Sequence, residues 1–121
     1  HFLKWDQSIT PLLWENSNLD FDSSLGYADK AGFRCGTSKE FHMFDVINNK
    51  KLHLKQIPLI AMESTVLSKR YENLGYSKAA INRFNDLKKL CLRYNGNFSL
   101  LWHNSHFDDP KDKLMYEELI S

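Results

Sequence analysis

The sequence predicts an α/β fold in a single domain, and three observations carry that prediction. Short stretches with period-two alternation or an unbroken apolar run recur along the chain, as strands require. One long segment, SKAAINRFNDLKKLCLRYNG at 77–96, spaces its apolar residues three and four apart, as a surface helix does. The two patterns alternate as strand, helix, strand, hairpin, strand, helix, strand, helix. A chain of 121 residues suffices for one core, burying roughly two thirds of its unfolded surface. No repeat, low-complexity tract or Pro-rich linker divides it.

Taken in order, His1-Phe2-Leu3 reads as the end of a strand. Ser8-Ile9-Thr10-Pro11 places a hydroxyl cap before a proline at a first helical turn, predicting a short helix that ends near Asn18. LDFDSSL (19–25) alternates like a strand. The run from Gly26 to Glu40 is a long loop, and a loop of that length in a compact domain is usually functional or mobile. FHMFDVI and KLHLKQI flank Asn48-Asn49-Lys50-Lys51, a hairpin turn in which Asn tolerates positive φ. IPLIAME (57–63) reads as a buried strand with Pro58 confined to its start. In the long helix Ser77 is the N-cap, Ile81, Phe84, Leu87, Cys91 and Tyr94 form the apolar stripe, and Gly96 takes the left-handed stop position. FSLLWH is the next strand, and Asp109-Pro110 opens a last helix running through Glu118.

Composition narrows the function classes. Apolar residues at 42% and aromatics at 13% predict a packed core rather than disorder. Sixteen basic and 15 acidic side chains, spread evenly for a net charge of +1, give no stripe for nucleic acid. No apolar run of about 18 residues predicts a membrane span. Cys35 and Cys91 lack zinc spacing and are too few for a disulfide framework, and Cys91 on the helix stripe is expected in the core. The opening HFLKWDQS has no initiator Met, basic n-region or apolar h-region, which suggests a fragment or processed product.

In α/β folds with parallel strands, sites gather where strands end. His103 stands at such an end, as do Glu63 after IPLIAM and Asp22 within DFDSS, and Arg34 lies in the loop that follows the Asp22 strand. A catalytic acid, base or anion clamp belongs there. Each has a plainer reading: a histidine satisfied by carbonyls, an acid that starts the next segment, a solvated arginine. His106, with Asp108 and Asp109 after it, mimics a metal-ligand spacing, but a lone HxxH in a loop favours a solvated surface pair. His42 and His53 on the hairpin are expected to face solvent or pair across strands.

LDFDSSLGYADKAGFRCGT, IPLIAMEST and FSLLWHNS, in that order, resemble the C-terminal part of bacterial polysaccharide deacetylases of the NodB-homology group, over nearly the whole chain. The resemblance implies the C-terminal portion of a distorted (β/α) barrel with a β-hairpin insertion. It also implies a parent that removes N-acetyl groups from a polysaccharide with a divalent metal, zinc or similar, in the bacterial cytoplasm or cell envelope. Leu100-Leu101-Trp102-His103 matches the family's LxLH motif with Trp102 in place of the second Leu, which implies that His103 is the general acid. Arg34 in Gly32-Phe33-Arg34-Cys35-Gly36-Thr37 takes the place of the family's Arg-x-Pro-Tyr. Gly36 and Thr37 replace the Pro and Tyr, and with Asp22 and Trp102 they would contact substrate. Glu63 stands where relatives have an Asp that orients the catalytic histidine, with one methylene more. His1-Phe2-Leu3 resembles the segment after the second metal histidine of the branch, which makes His1 a candidate metal ligand.

The sequence has no Thr-Phe-Asp-Asp and no HxxxH. Hydroxide generation needs several ligands on the metal, so the chain alone is expected to bind no metal and to be inactive. A barrel cut in this way would leave strand edges open, through which the chain would form homo-oligomers. Two other classes remain open: a non-catalytic carbohydrate-binding or scaffold domain that stacks sugars on Trp5, Trp14, Tyr27, Phe33 or Trp102, and an unrelated α/β hydrolase or transferase pairing His103 with Asp22 or Glu63.

Overall fold

The computed structural model describes residues 3–121. His1 therefore lies outside the described residues. The first helix, α1 (Thr10–Asn16), has Pro11 in its opening turn. The expected hydroxyl cap is replaced by an aspartate-centred turn, in which the Asp6 carboxylate accepts from the Ser8 amide at 2.9 Å and the Ser8 hydroxyl at 2.6 Å. Leu12 and Trp14 of this helix pack on Met43, Leu52 and Leu54 of the hairpin that follows.

The strand expected at 19–25 shortens to β1 (Phe21–Asp22). Its carboxylate is the reason: Asp22 accepts from the Ser24 amide at 2.8 Å and the Ser24 hydroxyl at 2.7 Å, a local turn that competes with the ladder. β2 (Phe41–Asp45) and β3 (Lys50–Gln56) form the expected antiparallel hairpin. Asp45 closes its turn by accepting from the amides of Ile47 and Asn48, and Asn49 adopts φ 51°. The chain from β3 continues through Pro58 to β4 (Ala61–Met62) and pairs in parallel twice. Residues 55–59 donate to carbonyls of Asp20, Asp22 and Leu25, while β4 pairs with β5 (Leu100–Leu101). The sheets are open among the described residues, ordered β1-β3-β2 and β4-β5.

Two helices connect β4 to β5. The short α2 (Glu63–Leu67) was not foreseen from sequence, whereas α3 (Lys78–Arg93) follows the predicted helix, with the Ser77 hydroxyl accepting from the Ala80 amide at 3.2 Å. Phe84, Leu87 and Cys91 of the stripe are buried, but Tyr94 at its end is exposed. Burial also pushes the Cys91 thiol up, which suits an inert core sulfur. A 3-10 turn at Asn104–Asp108 leads into α4 (Pro110–Ile120), capped by Asp109 through the Lys111 amide at 2.9 Å. Ile60, Ala61 and Val66 meet α3 and the Met115 and Leu119 face of α4 in the main core. No described helix is long and apolar enough to cross a membrane.

The long loop is pinned. Glu72 accepts from the Ala31 amide at 2.7 Å, Arg83 donates to the Ala31 carbonyl at 2.8 Å and to Glu72, and the Thr65 hydroxyl donates to the Ala28 carbonyl at 2.9 Å. These bonds seat the loop on the elements that follow β4.

Candidate active site at the ends of β4 and β5

β4 and β5 run side by side in the same direction, and each delivers an ionisable residue just past its end. Glu63 is the first residue of α2, directly after Met62, and His103 comes two residues after Leu101. Parallel pairing of Met62 with Leu101 sets these exits next to each other. The result is a direct contact between His103 Nδ1 and Glu63 Oε1. The Glu63 side chain is fully buried, while that of His103 is 42% exposed. In the tautomer that pairs a ring N–H with a carboxyl oxygen, Nδ1 carries the hydrogen and donates to Glu63. The other ring nitrogen, Nε2, has no partner among the described residues and is free for proton exchange. The extra methylene of Glu63, relative to the Asp of the resembled family, does not prevent the contact.

His103 borders a cleft of about 700 Å3 whose wall includes Ser23, Ser24, Met62, Ser64, Arg70 and Tyr71. Leu3 lines the same cleft. Asp22 does not line the cleft: it is buried, and both of its side-chain hydrogen bonds are to Ser24. The cleft is thus polar on the Ser23-Ser24 side, apolar at Met62 and Leu101, and aromatic at Tyr71.

Three further residues singled out from sequence lie elsewhere. Arg34 donates to the Gly26 carbonyl at 2.8 Å and borders a separate hollow with Trp5, Leu25, Phe41 and His42. Gly36 and Thr37 line a groove with Phe33, Leu90 and Tyr94. Neither hollow includes His103. Trp102 turns away from the cleft into the core, stacked on Phe107 at 6.3 Å between ring centres and set edge-on to Tyr116 at 5.5 Å. Alternation along a strand explains this, since neighbours on β5 and its extension point to opposite faces. Of the aromatic residues considered for sugar stacking, Trp5, Trp14, Phe33 and Trp102 pack against the two cores. Tyr27 is exposed, with the Lys30 ammonium 4.6 Å from its ring centre.

Sequence reasoning missed the second half of the cluster. His106 is half-exposed, its side chain 40% accessible, but it also reaches inward: its Nδ1 lies 3.5 Å from Glu63 Oε1 and 3.7 Å from Asp112 Oδ1. Asp112, in the first turn of α4, is fully buried and accepts from the Tyr76 hydroxyl. Burial, reinforced by that bond to Asp112, pushes the Tyr76 phenol well above its ordinary range, so it remains a donor. The HxxH spacing was the available signal, because residues three apart in a 3-10 turn lie above one another. Nothing in the sequence around Tyr76 or Asp112 announces their partnership. His42, expected to face solvent or pair across strands, does both: it is exposed, and its Nδ1 lies 3.0 Å from the Leu52 carbonyl oxygen.

Among the described residues no three His, Cys, Asp or Glu side chains are arranged to hold a metal ion. Comparison with protein-family models, with curated proteins and with solved structures gives no match to this chain.

Proposed function

We propose that this chain is the C-terminal part of a polysaccharide-deacetylase-like (β/α) barrel and that it contributes the proton donor of an N-deacetylase acting on a bacterial polysaccharide. One observation carries the proposal: the buried Glu63 carboxylate grips Nδ1 of His103 at the mouth of a cleft, at the ends of two parallel strands. A carboxylate in that position fixes the tautomer and the ring orientation, leaving Nε2 to face a reacting group. With Nδ1 already holding a hydrogen, the acid form is the imidazolium. As the C–N bond of the hydrated acetamido group breaks, Nε2 gives its proton to the departing nitrogen, leaving the neutral Nδ1–H ring, which takes up a proton from solvent before the next turnover. Ser23 and Ser24 offer hydroxyls to a sugar in the cleft, and Tyr71 offers a ring face.

A divalent cation in such a site would polarise the acetyl carbonyl and lower the pKa of the attacking water. The described residues do not supply its ligands. The proposal therefore assigns this chain the acid side of the chemistry alone.

The test is acetate release from N-acetylglucosamine oligomers by the complete gene product, with and without added Zn2+. Metal-dependent release that falls by about 10²–10⁴-fold in His103→Ala is the expected outcome. Glu63→Gln should lower the rate in the same direction. Absence of release by the unaltered protein, or equal release by His103→Ala, would sink the proposal. The same Glu–His pair could also serve a hydrolase or transferase without metal, and turnover indifferent to chelation would favour that reading.

A further inference from the structure

His106 has no part in the proton transfer just described, yet it stands between two buried carboxylates. It follows His103 by three positions in the 3-10 turn, with its amide donating to the His103 carbonyl at 3.0 Å. The two imidazoles therefore share a side of the turn, their ring centres 5.6 Å apart and their planes inclined at 31°. His106 Nδ1 faces the same Glu63 oxygen that His103 engages, at 3.5 Å, and Asp112 Oδ1 at 3.7 Å. Both separations are too long for strong hydrogen bonds, so the ring stands against the two carboxyl oxygens at ion-pair distance.

The carboxylates need such a neighbour. Glu63 Oε2 and Asp112 Oδ1 are buried without a hydrogen-bond partner among the described residues. Leaving buried carboxylates close together with no positive or donating group between them is costly. His103 and His106 are the groups recorded at ion-pair distance from these two acids. Asp112 is itself fixed on its far side, because Oδ2 takes the Tyr76 hydroxyl and the residue belongs to the first turn of α4. A chain of contacts thus runs from α4 through His106 to Glu63 and on to the half-exposed ring of His103.

We propose that His106 is a positioning residue: it holds Glu63 where Glu63 can orient His103, and the Asp112–Tyr76 pair holds His106. The catalytic consequence rests on the reading of His103 as proton donor. Without His106, the Glu63 carboxylate keeps only the His103 ring as a partner and gains freedom to rotate away from it. His103 then spends less time with Nε2 correctly aimed, which lowers kcat without altering how the sugar binds.

The test uses the complete gene product with His106→Phe, which keeps a ring and removes both nitrogens. The expected result is a kcat lower by about 10–100-fold, the scale for residues that orient a functional neighbour, with KM unchanged. Added to Glu63→Gln, the same substitution should cause no further loss, since both act on one contact. Asp112→Asn should move kcat the same way. An unchanged kcat, or a full multiplicative loss on top of Glu63→Gln, would overturn the inference. Should the ring variant fail to fold, as judged by its thermal melt, His106→Gln is measured by the same criteria.

If the unaltered protein releases no acetate, the functional reading fails and the positioning role is judged by NMR alone. The Nδ1 proton of His103, held by a carboxylate, is expected downfield and slow to exchange. It should vanish in Glu63→Gln and broaden by exchange in His106→Phe. A resonance unaffected by His106→Phe would refute the positioning role.

Discussion

Gly96 shows how a single residue's role depends on what stands across from it. The left-handed position that ends α3 belongs to Asn95, at φ 53°. The Asn95 amide donates to the Leu92 carbonyl at 3.1 Å and the Gly96 amide to the Cys91 carbonyl at 2.8 Å, a Schellman closure. Gly96 is required by crowding instead: a Cβ there would lie 1.9 Å from the Ser38 hydroxyl oxygen and 3.1 Å from the Ser38 carbonyl carbon. Gly96→Ala is therefore expected to destabilise the fold by about 1–3 kcal/mol in urea unfolding, as overpacking does. Ser38→Ala in that background should return part of the loss, and full stability of Gly96→Ala alone would contradict the crowding account. The sequence revealed that the helix stops here. That Gly96 is needed for space beside Ser38, 58 positions away, rather than for the turn was not legible.

At the scale of elements, α1 is fastened to the hairpin by one carboxylate. The pairing of β2 with β3 shifts register between His42 and Phe44. Glu15 accepts from the amides of His53 at 3.0 Å and Leu54 at 2.8 Å, next to that irregularity. The His53 amide bond, ahead of those from Leu54 and the nearby positive groups, holds the Glu15 carboxyl below its ordinary range. A carboxyl depressed on folding adds stability that is present above its unfolded value, about pH 4.3, and that is lost as pH falls through the folded value. Glu15→Gln should be less stable than the unaltered chain at pH 7, and the gap should close on titration below about pH 4. Parallel stability curves for the two proteins would show that the amide bonds, not the charge, matter. The hairpin itself was legible from its alternation and its Asn-Asn turn. The register shift was not, and the amides it frees on β3 take the carboxylate of another helix, a pairing with no local signature.

For the whole molecule, the surface is large for its mass. The chain exposes 7869 Å2, against about 6,800 Å2 for a compact monomer of this mass. The excess is on the scale of one partner's share of a stable interface, about 800 Å2. β1 and β5 each pair on one side only among the described residues, and Phe21 on β1 is 54% exposed. Open parallel edges bearing apolar side chains attract further strands. Sedimentation of the chain is expected to show association that grows with concentration and weakens in Phe21→Lys. A monomer at the highest soluble concentration would rule out such edge pairing.

The sequence by itself determined the periodic elements, though not the short lengths of β1, β4 and β5, because side-chain alternation, caps and helix stripes are local properties. It located α1, the hairpin, α3 and α4 to within a few residues, and it selected Glu63 and His103 as strand-end residues without any knowledge of their separation. Tertiary structure alone decided that these two touch, through the register of β4 on β5, and that Trp102 beside them faces the core. It also brought His106, Asp112 and Tyr76 to the same carboxylate and directed Arg34, Gly36 and Thr37 to other hollows. A turn, a helix and a loop from distant parts of the chain meet there, and contacts at such separations leave no period in the sequence.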